Sequence, residues 1–342
     1  MLRGAAAPDA RPVLSIGAEG VRLGEPAPEL IGWERIKAVE GERRSEAETF
    51  LRLGEAAWRG QLRLARGDFV MAEPVFSDLV TRMNGQRSSP ALIAHEGLAW
   101  CLLAKQDLGG ATGQWLAALS LRRAGVQAKP VPGPLMDHQT GLAPLLPPVV
   151  FGPAHARAML EALDRAGTPE DPMVAWYQAE YRRAAQFELG QAAGQGPPPR
   201  DDEGTRLVSM VVRSRAGDEG ERQAARQGLA GVIAANQGNW REAWARAALG
   251  RSLLRETGEA ERDAGILELI HLPARFASSH PSLAAGCLGA AAGALGEMGR
   301  ADEAGVLREQ ARLLSERGGA AAWVGIDGAS GPGGQTQGAQ QR

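Results

Sequence analysis

Gly67-Asp68-Phe69-Val70-Met71-Ala72-Glu73-Pro74-Val75-Phe76 is the stretch on which the fold is read. A glycine makes a tight turn, an aspartate follows that can cap a helix, an aromatic fills the gap at the helix start, and a small alanine allows close helix approach. The pattern returns as Gly238-Asn239-Trp240 with Ala243 and Ala247, and in reduced form as Gly299-Arg300-Ala301 with Ala304 and Ala311. Seven residues before each turn stands a small residue, Gly60, Gly231 and Ala292, on what reads as the preceding helix. A weaker copy places Ala111, Trp115 and Ala118 on a second helix.

Helical periodicity extends outward from these turns. The spacing predicts helices over 45–66 and 70–83, 91–105 and 110–123, 154–166 and 172–189, and then 203–215, 218–236, 239–256, 259–272, 281–297 and 300–316. Short turns make sequential helices antiparallel. Asp171 before Pro172 is a cap followed by proline at the first helical position. Asp201-Asp202-Glu203 places carboxylates at the positive end of the next helix, a better reading than a calcium loop.

Three segments break the pattern. Residues 1–41 alternate and are punctuated by glycine: Leu14/Ile16, Val21/Leu23, Ile31/Trp33 and Ile36/Val39 read as a small β-meander of two to four strands. Too short to fold alone, it is expected to dock on the helices through Trp33. Residues 126–153 carry seven of the chain's 21 prolines, which block helix, yet also Leu142, Leu145, Leu146, Val149, Val150 and Phe151. Such a segment is expected to lie ordered along a groove of the helical body. Residues 190–202, with Gly194-Gln195-Gly196-Pro197-Pro198-Pro199, read as a linker or exposed loop, and 317–342 as a disordered tail.

These turns resemble the tetratricopeptide-repeat family. The resemblance implies a mainly all-α fold of antiparallel helix pairs in a right-handed α-α superhelix, helical repeats over 45–125 and 203–316, and a helical pair at 154–189. It also implies a concave face that binds protein segments. The spacing departs from a constant repeat, since Ala72 to Ala111 and Ala243 to Ala304 differ, and Asn84 stands where the first unit would close with proline.

Composition narrows the function classes. The chain has 342 residues, 44% of them hydrophobic, and its 38 basic and 40 acidic residues leave a formal charge of −2. No global field favours nucleic acid or an acidic membrane. The basic residues are nearly all arginine, with lysine only at 37, 105 and 129, a bias of the kind a GC-rich bacterial genome imposes. No apolar run is long enough to cross a membrane. No signal peptide is read at this start, so the compartment expected by default is the cytoplasm, with the periplasm the alternative if the gene begins upstream.

Candidate chemistry is sparse. Cys101 and Cys287 read as buried reduced thiols. His95, His138, His155, His271 and His280 show no metal-ligand spacing. The segment Ile270 to Phe276 with His271 and His280 reads as a helix end at Pro273. Ser278-Ser279-His280 is a polar turn, and Gly17-Ala18-Glu19-Gly20 is a hairpin turn without the lysine of a phosphate loop. No catalytic residue, metal ligand or cofactor is assigned. Trp58, Trp100, Trp115, Trp176, Trp240 and Trp244 read as wedges between small-residue helices, and Trp323 as a docking motif in the tail. The expectation is a non-enzymatic interaction scaffold for a protein or peptide partner, with its binding groove bordered or occupied by 126–153. The alternatives are a structural or accessory subunit of an envelope or secretion assembly, joined through the meander edge, and an enzyme whose site forms only in three dimensions.

Overall fold

A computed structural model describes residues 1–3, 9, 11–24, 29–129, 132–192, 194, 196–197 and 200–317. Among them are a small antiparallel sheet and twelve helices. The sheet has order β1-β2-β3, from β1 (Val13–Gly17), β2 (Gly20–Leu23) and β3 (Glu29–Ile31). Val21 pairs with both Ile16 and Ile31, so one face is aliphatic. Among the described residues three strands form, within the two to four expected. Trp33–Arg35 makes a 3-10 turn instead, and Ile36 contributes a lone bridge to Leu2.

Trp33 carries the docking expected of it. Its indole is buried, stacks on Phe50 at 5.2 Å and donates to the Gly17 carbonyl at 2.8 Å. The close approach requires glycine on the helix below, because a Cβ at Gly54 would stand 2.3 Å from the Trp33 carbonyl oxygen. Ser89 adds a buried 2.6 Å hydrogen bond to Glu34.

The helices follow in chain order: α1 (Arg44–Ala65), α2 (Phe69–Arg82), α3 (Ser89–Ala104), α4 (Leu108–Arg123), α5 (Gly152–Ala166) and α6 (Pro172–Glu188). After the 190–202 segment come α7 (Glu203–Ala216), α8 (Glu219–Ala235), α9 (Trp240–Leu253), α10 (Glu259–Phe276), α11 (Pro281–Glu297) and α12 (Ala301–Arg317). Each packs on its chain neighbour, an order compatible with a helical repeat.

Local chemistry sets the boundaries. The side chains of Asp68, Asp107, Asp171, Asp202 and Asn239 accept backbone N–H groups of the helices they begin, as the capping reading requires. Gly67, Gly238 and Gly299 take φ of 73°, 82° and 79°, the left-handed region that favours glycine. Gly60 is required for a second reason: a Cβ there would meet the Phe76 ring at 2.6 Å. Gly231 makes no such contact, because α8 buries only Ala225 and Leu229.

Two readings are corrected. Helix α10 does not end at residue 272 but runs through Pro273 to Phe276, where buried Leu269, Leu272 and Phe276 hold the turn that proline weakens. The 190–202 segment is not simply exposed: Gly196 and Pro197 are half-buried, and Gly196 lies against Glu180 and Arg183 of α6. The tail beyond 317, Trp323 included, lies outside the described residues. No helix among those described is long and apolar enough to cross a membrane.

Candidate functional site

Helices α4, α6, α7, α9 and α11 reach the proline-rich segment, and Gln61 of α1 donates to its Lys129 carbonyl at 3.0 Å. Its Leu135, Met136, Leu142, Ala143, Leu146, Val149 and Val150 are buried as part of the main core. Prolines leave the main-chain carbonyls of such a segment without regular partners, and buried carbonyls need donors. The helices supply them. Trp115 of α4 donates its indole N–H to the Gly141 carbonyl at 3.0 Å, and Trp244 of α9 donates to Pro144 at 2.8 Å. Tyr181 of α6 donates its hydroxyl to Leu146, and Arg251 of α9 donates to Val150. Thr140 to Asp137 form their own turn, and Arg241 of α9 pairs with Asp137 at 3.4 Å.

In the first part α1 packs beside α3 and α4 beside α6, while in the second α7 packs beside α9 and α9 beside α11. The segment is met by α4 and α6 from before residue 190 and by α7, α9 and α11 from after it. From α7, Gly204 lies near the Thr140 carbonyl; from α11, Gly286 lies against the Phe151 ring.

Where the segment enters α5, a polar clasp is buried. Glu188 of α6 accepts two 2.9 Å hydrogen bonds from Arg251 and contacts Arg215 of α7 at 3.3 Å; it also accepts the Gly152 N–H at 3.1 Å. Burial opposes the Glu188 charge, but Arg251 and Arg215 outweigh it and hold the carboxyl below its usual range. Burial, reinforced by Arg215, brings Arg251 down to about 10, so both partners stay ionised at neutral pH. The Phe151 ring lies 4.8 Å from the Arg251 guanidinium, and His155 accepts the Phe151 N–H at 3.3 Å.

The cavity beside this clasp, lined by Pro148, Val150, Phe187, Glu188, Ser214 and Arg251 among others, has a volume of ≈ 20 Å³. That holds about one water, against roughly 300–1,000 Å³ for a small-molecule site. The arrangement grips a polypeptide. It does not enclose a substrate.

The other residues singled out in the sequence are dispersed. Cys101 and Cys287 are buried and free, with burial pushing the Cys101 thiol up to about 12 and Cys287 higher still. His95 bonds Gln114 at 2.8 Å; His271 is exposed on α10; His280 is buried beside the Pro144 carbonyl with Ser279 at 3.0 Å. Among the described residues, no group of three or more His, Cys, Asp or Glu side chains is placed to hold a metal. Trp115 and Trp244 are wedges as expected, and also the donors that sequence reading missed. The available signal was their pairing of an N–H tip with a proline-rich, apolar segment.

Buried titratable groups give the fold a pH profile. Burial lowers His155 and His280 from 6.5 to about 4, Arg251 adding to the effect at His155. Both fold neutral, so their stabilisation is complete above pH 6.5 and is lost as the pH falls from there toward 4. Burial raises Glu180 from 4.5 to about 7, so its ionisation removes stability as the pH rises from 4.5 to 7. Burial also lowers His95 and, despite Arg122, raises Glu96, so three histidines stand against two glutamates. The melting temperature is expected to rise between pH 4.5 and 6.5, more steeply in Glu180→Gln, and to lose that rise or fall in His155→Gln/His280→Gln, where Glu180 acts without them. A flat wild-type profile by calorimetry would contradict this.

No protein-family model, curated protein or solved structure matches the chain.

Proposed function

We propose that this chain is a non-enzymatic protein-interaction scaffold built on divergent tetratricopeptide-like helix pairs. The observation that carries the reading is the grip on residues 137–151: side chains of α4, α6 and α9 bond the main-chain carbonyls of an extended proline-rich segment, which is how a helical array holds a peptide. The face that does this is taken by the chain's own segment. A partner therefore docks on the outside, and the N-terminal sheet offers the best-formed place.

There Leu14 and Leu30 are 54% and 43% exposed on β1 and β3, and β1 is an outer strand of the sheet. Unpaired strand edges with exposed aliphatics are templates for pairing with another chain. The same observation favours the second reading, a structural or accessory subunit joined through this edge. Neither reading calls for a cofactor or nucleic acid.

The chain's three lysines make a cross-linking test selective. Lysine-directed cross-linking in native lysate, read by mass spectrometry, is expected to join one reproducible protein to Lys37, which lies in the sheet module, and to lose it in Leu14→Arg/Leu30→Arg. Links confined to Lys105 and Lys129 would move the docking surface to the helices. No reproducible protein at any of the three would sink the scaffold reading.

A further inference from the structure

The C-terminal end of α7 is surrounded by arginines from three other parts of the array. Arg183 of α6 donates to the Ala216 carbonyl at 3.5 Å, Arg222 of α8 donates to Gly217 at 3.2 Å, and Arg255, just after α9, donates to Arg215. These bonds complement the negative end of a helix dipole, equivalent to roughly half a charge. They use one of the five N–H donors on each guanidinium.

The carboxylates nearby are already committed. Glu188 serves Arg251 and Arg215; Glu256 serves Arg226; Glu221 lies between Arg183 at 3.7 Å and Arg213 at 3.8 Å; and Asp218 caps α8. Among the described residues, Arg222 and Arg255 have no carboxylate partner within 4.0 Å. Their anchoring carbonyls are two residues apart, and Arg222 lies near enough to Arg255 for its charge to act on it. The Arg222 Nε is buried without a hydrogen-bond partner, while Arg255 is exposed and lies 4.8 Å over the Phe187 ring, which Arg215 also covers at 5.6 Å. Burial first, then repulsion from Arg222 and Arg215, lowers the Arg255 pKa.

We propose that Arg222 and Arg255 form a binding site for a phosphate-type oxyanion, bridged between the two guanidiniums at the α7 terminus and walled by Phe187. Two adjacent cations, half a charge of which the helix end offsets, match a phosphate better than a single carboxylate, since a phosphate monoester carries about −1.5 to −2 at pH 7. Its oxygens suit the fork geometry of arginine. The phosphate belongs either to the free ion or to a phosphorylated side chain of a partner, and these are distinguished by experiment.

Isothermal titration of the full chain at constant ionic strength is the test, with inorganic phosphate in one arm and a short phosphoserine peptide with its unphosphorylated counterpart in another. Saturable binding is expected, weakened at least ~10-fold in Arg222→Gln/Arg255→Gln. Tighter binding of the phosphopeptide than of phosphate assigns the partner source, and the reverse assigns the free ion. If the double variant loses its native circular dichroism, Arg255→Gln carries the test, because that side chain is exposed. A response no greater than that to chloride, or binding unchanged in the arginine variants, would overturn the site.

Discussion

Replacing residues 137–151 by a glycine-serine stretch of equal length is expected to abolish cooperative folding. The substitution keeps the chain length and main-chain carbonyls but removes Leu142, Leu146, Val149 and Val150, all nearly fully buried. At roughly 1.5–3 kcal/mol for each aliphatic side chain buried, the loss is on the order of 6–12 kcal/mol. That is comparable with the whole stability of a typical domain, about 5–15 kcal/mol. Near-UV circular dichroism and urea unfolding read the outcome: helix content persists in part, but aromatic asymmetry and the sharp transition vanish. A variant with a native near-UV spectrum would instead make the segment a removable occupant and reopen the groove to outside peptides. The same magnitude explains why a partner is placed on the outer surface, since displacing the segment would expose nearly all of this area.

Arg251→Met is expected to destabilise the chain by about 3–5 kcal/mol, the usual result of removing one member of a buried ion pair. The Val150 carbonyl loses its donor, and Glu188 keeps only Arg215 and the Gly152 N–H. Glu188→Gln combined with Arg251→Met is expected to be less damaging than Arg251→Met alone, because no uncompensated charge stays buried. Because the Glu188 carboxyl is held below its ordinary range, this stabilisation is present above about pH 4.5 and fades as the pH falls through the lower folded value. Chemical denaturation of the single and double variants at pH 7 measures the difference. A cost under about 1 kcal/mol for Arg251→Met would show that the clasp does not hold the segment.

The two experiments separate what was readable locally from what was not. Every turn that began the reading survives, because its determinants lie within three or four residues: Asp68 accepts from the Met71 N–H, Asp171 from Met173 and Val174, Asn239 from Arg241. Trp33 as an anchor was legible because a large apolar side chain in a module too small to fold has little alternative. Pro273 misled, since local propensity ends a helix there while packing of Leu269, Leu272 and Phe276 continues it.

The amino-acid sequence alone determined that the chain is mainly helical with a small sheet in front, where nearly all helices begin and end, and that the proline-rich segment would be ordered against them. Those properties rest on capping, periodicity and the insolubility of exposed aliphatics, all local. Only the tertiary structure decided which helices meet that segment and by which atoms. The Trp244 and Arg251 bonds to it span 100 and 101 residues. No repeat pattern encodes such pairings, because they follow from the shape left between packed helices. The arginines at the end of α7 have the same origin: scattered over α6, α8 and the turn after α9, they become one cluster only when a helix terminus with open carbonyls is placed between them.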